Sequence, residues 1–281
     1  MNEVICEICF RHCHIQEGHT GFCRARKNEG GRNVPDNYGR LTGLALDPIE
    51  KKPLARFYPG SWILSCGSYG CNLACPFCQN HEISMADETN AGYRYYSPDQ
   101  LARLILNTED NLGIAFTYNE PMICPEYILD VAALIRPHGK KVVLVTNGCV
   151  TRKTAELLAP AVDAANIDLK GDRAFYEELS GSYDAARETI AFLQEHCHVE
   201  ITSLIIPGKN DSEEWVRKES EWIASLDPEI PLHLTRYFPR YRYTIRATDP
   251  ETILRLVKIA KQSLSHVYAG NMPAWYAEED G

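Results

Sequence analysis

Short apolar and β-branched runs alternate with amphipathic segments along the chain from residue 62 onward. The short runs predict strands, and segments with apolar residues every three or four positions predict helices. The predicted strands cover residues 62–66, 113–117, 142–146, 164–169, 199–205, 232–237 and 266–269. The predicted helices cover residues 98–106, 126–136, 153–159, 183–195, 213–225 and 250–264. This alternation indicates βαβ units and a parallel sheet.

The number of these units favours an α/β fold, a partial or full βα barrel of parallel strands. In such a barrel the functional residues lie at the carboxyl ends of the strands. Periodicity alone also allows an open, doubly wound sheet. Ser97-Pro98 and Asp249-Pro250 are typical helix starts, a capping side chain followed by proline at the first helical position.

The first 40 residues differ from the rest of the chain in composition and in hydrophobic pattern. Residues 1–40 are rich in Cys, His, Gly and Asn and lack a periodic apolar pattern. We expect a small amino-terminal Cys-rich metal-binding extension, in which a bound ion replaces the stabilisation of a core. Residues 47–53 are interpreted as a linker, and residues 41–281 as the barrel domain.

The formal net charge of −9 over 281 residues argues against a broad nucleic-acid-binding face. No apolar stretch is long enough to span a bilayer, and the amino terminus lacks the features of a secretory signal. We therefore expect a cytoplasmic protein with neither membrane nor nucleic-acid partners. In that reducing compartment, clustered cysteines indicate metal binding. The four scattered cysteines, predicted to be small apolar core residues, are Cys66, Cys124, Cys149 and Cys197.

Three cysteines, Cys71, Cys75 and Cys78, follow the first predicted strand closely enough to converge on one metal centre. A closed electron-transfer cluster takes four cysteines, so three leave one iron open to a small molecule. Structural zinc, with His81 or Cys66 as fourth ligand, explains the same spacing.

The amino-terminal extension carries enough thiols to close a tetrahedral site by itself. Its cysteines are Cys6, Cys9, Cys13 and Cys23. Histidines that can each replace one of them are His12, His14 and His19. Structural zinc is our first interpretation, because a short unit without a core needs a metal to hold it. A second, fully ligated 4Fe–4S cluster acting as an electron relay is the alternative.

The x3 and x2 spacing of the triplet, with aromatic Phe77 directly before its last cysteine, resembles the radical S-adenosylmethionine (SAM) superfamily. Over residues 41–273 the chain resembles the radical SAM protein of the AmmeMemoRadiSam system, a relative of pyruvate formate-lyase activating enzyme. The resemblance rests on the stretches 46–54, 57–60 and 78–84. It implies an oxidoreductase whose open iron binds SAM. Reductive cleavage of SAM then gives a 5′-deoxyadenosyl radical that abstracts a hydrogen atom.

The resemblance also implies which residues contact SAM. Phe77 contributes to the adenine environment. Asn119 and Glu120 lie where the superfamily has a glycine-rich segment ending in Glu-Pro, and Glu120 accepts a hydrogen bond from the SAM amino group. Alternatively, Glu120 has only a structural role, as an acidic residue that is favoured at the amino terminus of a helix.

Asp168 and Lys170 lie two residues apart at the end of the fourth strand and therefore point to the same side. The resemblance assigns this Asp-x-Lys to the SAM site, and a salt bridge at the barrel mouth is the alternative. His233, on the sixth strand, is the remaining candidate for cofactor binding and also a substrate-pocket candidate, with a hydrogen-bonded core histidine as its alternative.

The sequence leaves the substrate open among three hypotheses. The chain activates a partner protein by taking a hydrogen from a backbone glycine, or it modifies a small molecule or another partner protein. The third hypothesis is a non-catalytic metal-binding scaffold. For an enzyme, we expect an electron donor such as flavodoxin or ferredoxin.

Overall fold

The computed structural model describes residues 3–273. Its strands are β1 (Val4–Ile5), β2 (His14–Ile15), β3 (Arg26–Glu29), β4 (Arg32–Pro35), β5 (Arg40–Leu41), β6 (Gly43–Pro48), β7 (Trp62–Gly67), β8 (Arg94–Tyr95), β9 (Asn111–Phe116), β10 (Lys141–Thr146), β11 (Ala164–Asp168), β12 (His198–Ile205), β13 (Leu232–Arg236) and β14 (Val267–Gly270). Its α-helices are α1 (His81–Ser84), α2 (Pro98–Asn107), α3 (Pro125–Ile135), α4 (Arg152–Leu158), α5 (Arg173–Glu178), α6 (Tyr183–Leu193), α7 (Glu213–Leu226) and α8 (Pro250–Ala260).

One eight-stranded sheet organises the described part of the chain, in the order β14-β13-β12-β11-β10-β9-β7-β6. Strands β7 and β9 to β14 run parallel to their neighbours, and β6 pairs antiparallel with β7. Strands β6 and β14 form the two edges of this sheet and do not pair with each other among residues 3–273. The predicted α/β fold with a barrel of parallel strands is confirmed, and the barrel is partial.

Alternation along the strands separates an outer apolar face from an inner, more polar one. In β12, Val199 and Ile201 belong to the main hydrophobic core between sheet and helices. The residues between and after them, Glu200 and Thr202, point the opposite way into the barrel. The side chains that can do chemistry are therefore collected inside the barrel.

Helix starts follow the predicted capping pattern. Ser97 accepts a hydrogen bond from the Gln100 amide, and Gln100 in turn caps the Ser97 amide, so α2 begins with a complete capping box. Asp249 caps α8 in a similar way. None of the helices formed by residues 3–273 combines the length and the apolar composition needed to cross a membrane.

The stretch interpreted as a linker, residues 47–53, is instead built into the barrel. Its first two residues complete β6, and Ile49 and Leu54 are fully buried. They pack against Val143 and Ala164 on the inner face of the sheet. The linker interpretation is therefore wrong. The sequence shows no sign of this burial because the apolar residues here are irregularly spaced, and they become buried only through contacts with distant strands.

The cysteine-rich extension consists of two short hairpins, β1–β2 and β3–β4. Cys9 forms an isolated bridge with Val150, and the guanidinium of Arg26 makes two hydrogen bonds of 2.8 and 2.9 Å to the Glu126 carboxylate. Arg26 is buried while Glu126 is partly exposed, which makes this a charge-assisted contact at the edge of the core. The extension therefore packs directly on the barrel.

Candidate active site

A cavity of about 290 Å³ lies at the carboxyl edge of the sheet. The loop after β7 contributes Cys71, Cys75 and Cys78 to its wall, and the ends of β9, β10 and β11 contribute further polar side chains. The three thiols thus line one cavity, and that they share one metal centre stays a prediction.

Backbone and side-chain donors surround the thiols. The Leu73 amide lies 3.4 Å from Cys71 Sγ, and Asn147 Nδ2 lies 3.6 Å from the same sulfur. Ser84 Oγ is 3.7 Å from Cys78 Sγ. Sequence reasoning did not assign Asn147 or Ser84 to the site. The signal for Asn147 is its place in Thr-Asn-Gly at the end of a predicted strand, whereas Ser84 carries no such signal.

The cluster thiols are embedded in a low-dielectric environment. Burial raises the pKa of the Cys75 thiol to about 11, partly offset by the positive charge of Lys170. Burial, reinforced by Glu120, raises the pKa of Cys71 well above its usual value. Binding of a metal centre must therefore displace protons from these sulfurs.

Glu120 lines the cavity but is almost completely buried. Its Oε1 accepts hydrogen bonds from the Met122 amide and the Thr146 hydroxyl, at 2.9 and 2.6 Å, and its Oε2 accepts one from the Asn147 amide at 2.7 Å. Burial raises the pKa of this carboxyl to about 7, although those hydrogen bonds lower it. Because a carboxylate has about four acceptor sites, Glu120 retains capacity for a ligand amine.

Asn119 also lines the cavity, but its amide is used inside the protein. Its Oδ1 accepts a hydrogen bond from the Ser68 amide at 3.0 Å, and its Nδ2 donates to the carbonyl oxygens of Tyr69 and Gly70 at 3.3 and 3.0 Å. Asn119 therefore positions the backbone that leads into the first cluster cysteine. Its assignment to SAM stays a prediction.

Asp168 and Lys170 meet at the mouth of the cavity, as their spacing predicts. Lys170 Nζ lies 2.7 Å from Asp168 Oδ2, and the Lys170 side chain is largely buried. Burial by itself lowers the pKa of Lys170, but Asp168 and the nearby Cys75 raise it well above its usual value. A paired cation and anion thus face the thiols, while Leu169 between them is fully buried.

Phe77 lies between the cluster loop and the barrel interior. Its ring stacks on Phe175 with a centroid distance of 6.0 Å and contacts Tyr243 at 5.7 Å. It lines both the thiol cavity and a neighbouring one. This placement is compatible with an adenine-contacting role and also satisfies ordinary core packing.

His233 does not line the thiol cavity. It lines a second, larger cavity of about 860 Å³ and lies 2.6 Å from the buried carboxylate of Glu200. Burial raises the pKa of Glu200, but hydrogen bonds from His198 and His233 and from the Ala55 and Arg56 amides lower it to about 2. Glu200, which sequence reasoning missed, therefore holds both His233 and the loop that closes the barrel interior.

The four amino-terminal cysteines form a second group of buried thiols. Cys6, Cys9 and Cys23 are each about 5% exposed, and Cys13 is half-buried. Burial raises the pKa of Cys9 to about 12, and the other three thiols are close enough to add to this shift. In neither cysteine group do three described Cys, His, Asp or Glu side chains have the geometry for a single metal ion. Binding of one zinc ion at either group therefore requires its thiols to close in on the ion.

The family model described as the radical SAM superfamily matches residues 66–219, more than half of the 281-residue chain. The chain belongs to the radical SAM superfamily. The matched region includes the cysteine triplet, Glu120 and the Asp168–Lys170 pair. The protein is therefore a radical SAM enzyme, as the sequence predicts, and its superfamily implies a 4Fe–4S cluster and SAM.

Two proteins of the archaeon Methanocaldococcus jannaschii, both described as uncharacterised, are similar to this radical SAM chain. One is 36% identical over 99% of this chain and 84% of its own length. The other is 25% identical over 84% of this chain and 67% of its own length.

Solved structures of other radical SAM proteins share the fold. A domain of pyruvate-formate lyase-activating enzyme from Bacteroides vulgatus has a TM-score of 0.50 and 20% identity, covering 57% of this chain and 99% of that domain. SuiB from Streptococcus suis has a TM-score of 0.57 and 15% identity, covering 76% of this chain and 50% of SuiB. At these identities the likeness concerns the fold.

The residues present fit the group that the superfamily implies. Three thiols with no fourth cysteine lining the cavity match the donor set of a cluster with one open iron. The carboxylate of Glu120 and the ion pair of Asp168 and Lys170 line the same cavity and would offer polar partners to a charged ligand bound there.

Proposed function

We propose that Cys71, Cys75 and Cys78 hold the 4Fe–4S cluster and that the enzyme abstracts a hydrogen atom from a substrate bound in the adjoining chamber. The observation that supports this is that three thiols, one buried and two half-buried, line one cavity together with the buried carboxylate of Glu120 and the half-buried pair of Asp168 and Lys170. When bound, the reduced cluster supplies the electron that cleaves SAM to methionine and a 5′-deoxyadenosyl radical.

The chain's own residues bind and orient SAM in this proposal. Glu120 accepts a hydrogen bond from the SAM amino group while three internal donors hold its carboxylate in place. Asp168 and Lys170 bind polar groups of SAM, since one offers acceptors and the other donors. Phe77 forms the boundary between the SAM cavity and the substrate chamber, because it lines both.

The substrate chamber is the second cavity, of about 860 Å³. It shares Phe77, Asp168 and Lys170 with the SAM cavity and is bounded by residues of both sheet edges, Asp47 in β6 and Tyr268 in β14. Because β6 and β14 do not pair with each other in the described chain, the chamber lies at the gap between them. His233 is proposed as a substrate-facing residue held by Glu200.

A protein segment is the substrate class that we favour. A lateral gap in the barrel admits an extended chain, and edge strands offer backbone groups with which it can pair. SuiB, which shares the fold, has been solved bound to its precursor peptide SuiA. A small-molecule substrate is the second candidate, supported by the polar side chains that line the chamber, among them Glu50, Thr202 and His233.

Product analysis tests the proposed chemistry. The protein is reconstituted anaerobically with iron and sulfide and incubated with SAM and dithionite. We expect 5′-deoxyadenosine and methionine in equal amounts. A loaded cluster that produces no 5′-deoxyadenosine would show that the proposed function is wrong. In a mixture with a candidate glycyl radical partner, a glycine-centred doublet in low-temperature EPR would identify activase activity.

Lys170→Met tests the assignment of the ion pair to SAM. It removes the ammonium but keeps much of the side-chain length, leaving Asp168 without its partner. We expect SAM binding to weaken about 10- to 100-fold with unchanged iron content, because charge-assisted contacts are among the strongest. Arg103→Met, an exposed position on α2, is the matched control. If the Lys170→Met variant bound SAM with unchanged affinity, the pair of Asp168 and Lys170 would be a structural salt bridge and not part of the SAM site.

For residues 1–40 we propose a metal-binding extension in which Cys6, Cys9, Cys13 and Cys23 bind structural zinc, with a second 4Fe–4S cluster as the alternative. Mutual proximity and burial of the four thiols support a shared metal. Four protein donors close a tetrahedral site, which suits a structural role.

A further inference from the structure

The segment between β13 and α8 concentrates positive charge in an acidic protein. Residues 236–246 contain four arginines and no Asp or Glu, while the whole chain has a formal net charge of −9. Residues 238–242 are all exposed. We call residues 236–246 the arginine segment.

The arginine segment is attached to the cluster loop. The backbone amides of Arg242 and Tyr243 both donate to the carbonyl oxygen of Pro76, at 2.8 and 3.2 Å. Pro76 directly follows the cluster ligand Cys75. The exposed face of the segment is therefore the outer covering of the loop that carries the cluster thiols.

An aromatic contact adds a second link between the arginine segment and the cluster loop. The ring of Tyr241 stacks on His81 with a centroid distance of 4.2 Å, and His81 Nδ1 lies 3.3 Å from the carbonyl oxygen of Cys78. Tyr241 has a left-handed backbone, with φ of 53°, at the tip of a turn closed by the Tyr243 amide and the Arg240 carbonyl. Such a conformation is costly for an aromatic residue and is retained where the surroundings hold it.

The arginines divide into two sets. Arg236 and Arg240 line the SAM cavity, whereas Arg242 and Arg246 line neither the SAM cavity nor the substrate chamber. Glu178, whose carboxylate accepts a hydrogen bond from the Tyr243 hydroxyl, is already paired with Lys209. The outer two arginines thus present charge to the solvent next to the cluster loop.

Exposed arginines and aromatic rings are typical of protein-binding surfaces. Phe238 and Tyr241 are 41% and 37% exposed, and the guanidinium of Arg242 lies over the Tyr241 ring at 4.9 Å. A nucleic acid carries negative charge along its whole length and would extend beyond the short arginine segment onto a chain with a formal net charge of −9, whereas a small acidic protein can contact the segment alone. An electron carrier, in contrast, must dock close to the cluster.

We propose that the outer face of the arginine segment is the docking surface for a small acidic electron-transfer protein of the ferredoxin class. The proposal rests on the proposed function, since it requires a cluster that takes up an electron. In this step one electron leaves the reduced iron–sulfur centre of the ferredoxin and reduces the cluster held by the triplet. The ferredoxin is thereby oxidised, and no proton or group is transferred.

Charge reversal at Arg242 and Arg246 tests the surface without touching the SAM cavity. The double variant Arg242→Glu/Arg246→Glu is compared with Arg103→Glu/Lys261→Glu, which has the same change of charge on α2 and just after α8. Binding of an acidic oxidised ferredoxin to the reconstituted enzyme is measured by calorimetry at low salt. We expect affinity to fall about 10- to 100-fold in the segment variant only, because steering by charge is of this size.

The same variants are then assayed for 5′-deoxyadenosine with two reductants. With reduced ferredoxin as the reductant, we expect the segment variant to form 5′-deoxyadenosine more slowly, because its affinity for ferredoxin is lower. With dithionite, which needs no docking surface, its rate should equal that of the unaltered enzyme. Ferredoxin binding and ferredoxin-driven rates equal to those of the control variant would overturn the proposal.

Two further results separate the alternatives. If the segment variant loses binding of total tRNA in a gel-shift assay but keeps ferredoxin binding, the surface binds nucleic acid and the proposal is wrong. If the unaltered enzyme forms no 5′-deoxyadenosine with dithionite, the proposed function fails, while the calorimetry still decides the docking surface by itself.

Discussion

The protein contains two groups of buried cysteines that differ in the number of thiols and in what surrounds them. The amino-terminal group has four thiols between short hairpins, and the second group has three thiols in the loop after β7. Burial raises the pKa of Cys9 in the first group and of Cys75 in the second, to about 12 and about 11. Each group thus contains a thiol whose pKa is raised by burial.

Their surroundings set the two groups apart. The cavity of about 290 Å³ is lined by the triplet together with Glu120 and Lys170, and the amino-terminal thiols do not line it. Four donors can complete a coordination shell, whereas three leave a position for a ligand beside a shaped polar cavity. The comparison teaches that the two groups differ in the number of thiols and in the cavity beside them, and our proposal of a structural and a reactive site rests on that difference.

Hydrogen bonds also connect the segments that carry the two groups of cysteines. Arg11 Nε donates to the Asn72 carbonyl at 3.0 Å, and Arg24 donates to the Ser84 carbonyl at 2.9 Å and to the Cys71 carbonyl at 3.5 Å. Gly70 has a left-handed φ of 86°, and a Cβ there would lie 2.5 Å from the Cys23 carbonyl oxygen. The extension therefore buttresses the backbone that carries the first cluster cysteine.

The largest effect is expected from replacing Cys71, Cys75 and Cys78 together by alanine. Iron should be lost from this site and 5′-deoxyadenosine should fall by at least about 1000-fold, since the chemistry depends on the cofactor. Metal analysis should still find the amino-terminal metal. Residual zinc without iron supports the zinc assignment, and residual iron favours a second cluster. Sustained SAM cleavage would contradict the distinction between the groups.

The Cys9→Ser variant is expected to lose stability, because it removes one of the four proposed ligands of the amino-terminal metal. Loss of one of four donors is expected to remove the amino-terminal metal and to lower the free energy of unfolding by at least about 3 kcal/mol, because structural zinc binding contributes about 10–16 kcal/mol in small domains. Zinc content and thermal unfolding measure this. A variant with full metal content and unchanged unfolding would show that Cys9 is not a ligand.

Arg24→Ala tests the contact between the groups. Loss of its hydrogen bonds to the Ser84 and Cys71 carbonyls is expected to cost about 1.5–3 kcal/mol and to shorten the lifetime of the cluster in air. Both effects are followed by denaturant unfolding and by the decay of cluster absorbance. Lys218→Ala, which removes an exposed ion pair with Glu214 within α7, is the control and should change stability by less than about 0.5 kcal/mol. Equal behaviour of the two variants would argue against buttressing.

The smallest effect is expected for Cys197→Ala. Cys197 is half-buried beside the main core, and burial raises the pKa of its thiol to about 12. Its replacement should change stability by about 1 kcal/mol or less and leave both metal contents unchanged. Loss of either metal would show that the division of cysteines into two groups and a core set is wrong.

Much of the barrel could be predicted because strand patterns are local. Each of the seven predicted strands corresponds to an observed one with ends within two residues, as in 142–146 against Lys141–Thr146. Strand β6 was missed because its six residues, Gly43–Pro48, show no alternation of buried and exposed positions. The short helix α5 was also missed, since its six residues hold too few turns for a periodic signal.

For the candidate site, spacing identified the thiols and the Asp168–Lys170 pair, but not how each polar group is used. Asn119 holds the backbone before the cluster, and His233 faces the second cavity, and neither position follows from a motif. Glu200 was missed because a single acid in an apolar strand gives no indication of its four partners.

By itself, the sequence determined the order of strands and helices, the donor sets of three and four thiols, and the alternation that places Asp168 beside Lys170. These features depend on neighbours along the chain, through backbone geometry and side-chain period. Only the tertiary structure decided that residues 49–54 lie inside the barrel, that Arg24 reaches a carbonyl 47 residues away, and that the arginine segment covers the cluster loop. Those contacts depend on how the whole chain packs, because residues far apart in sequence meet only once the barrel has formed.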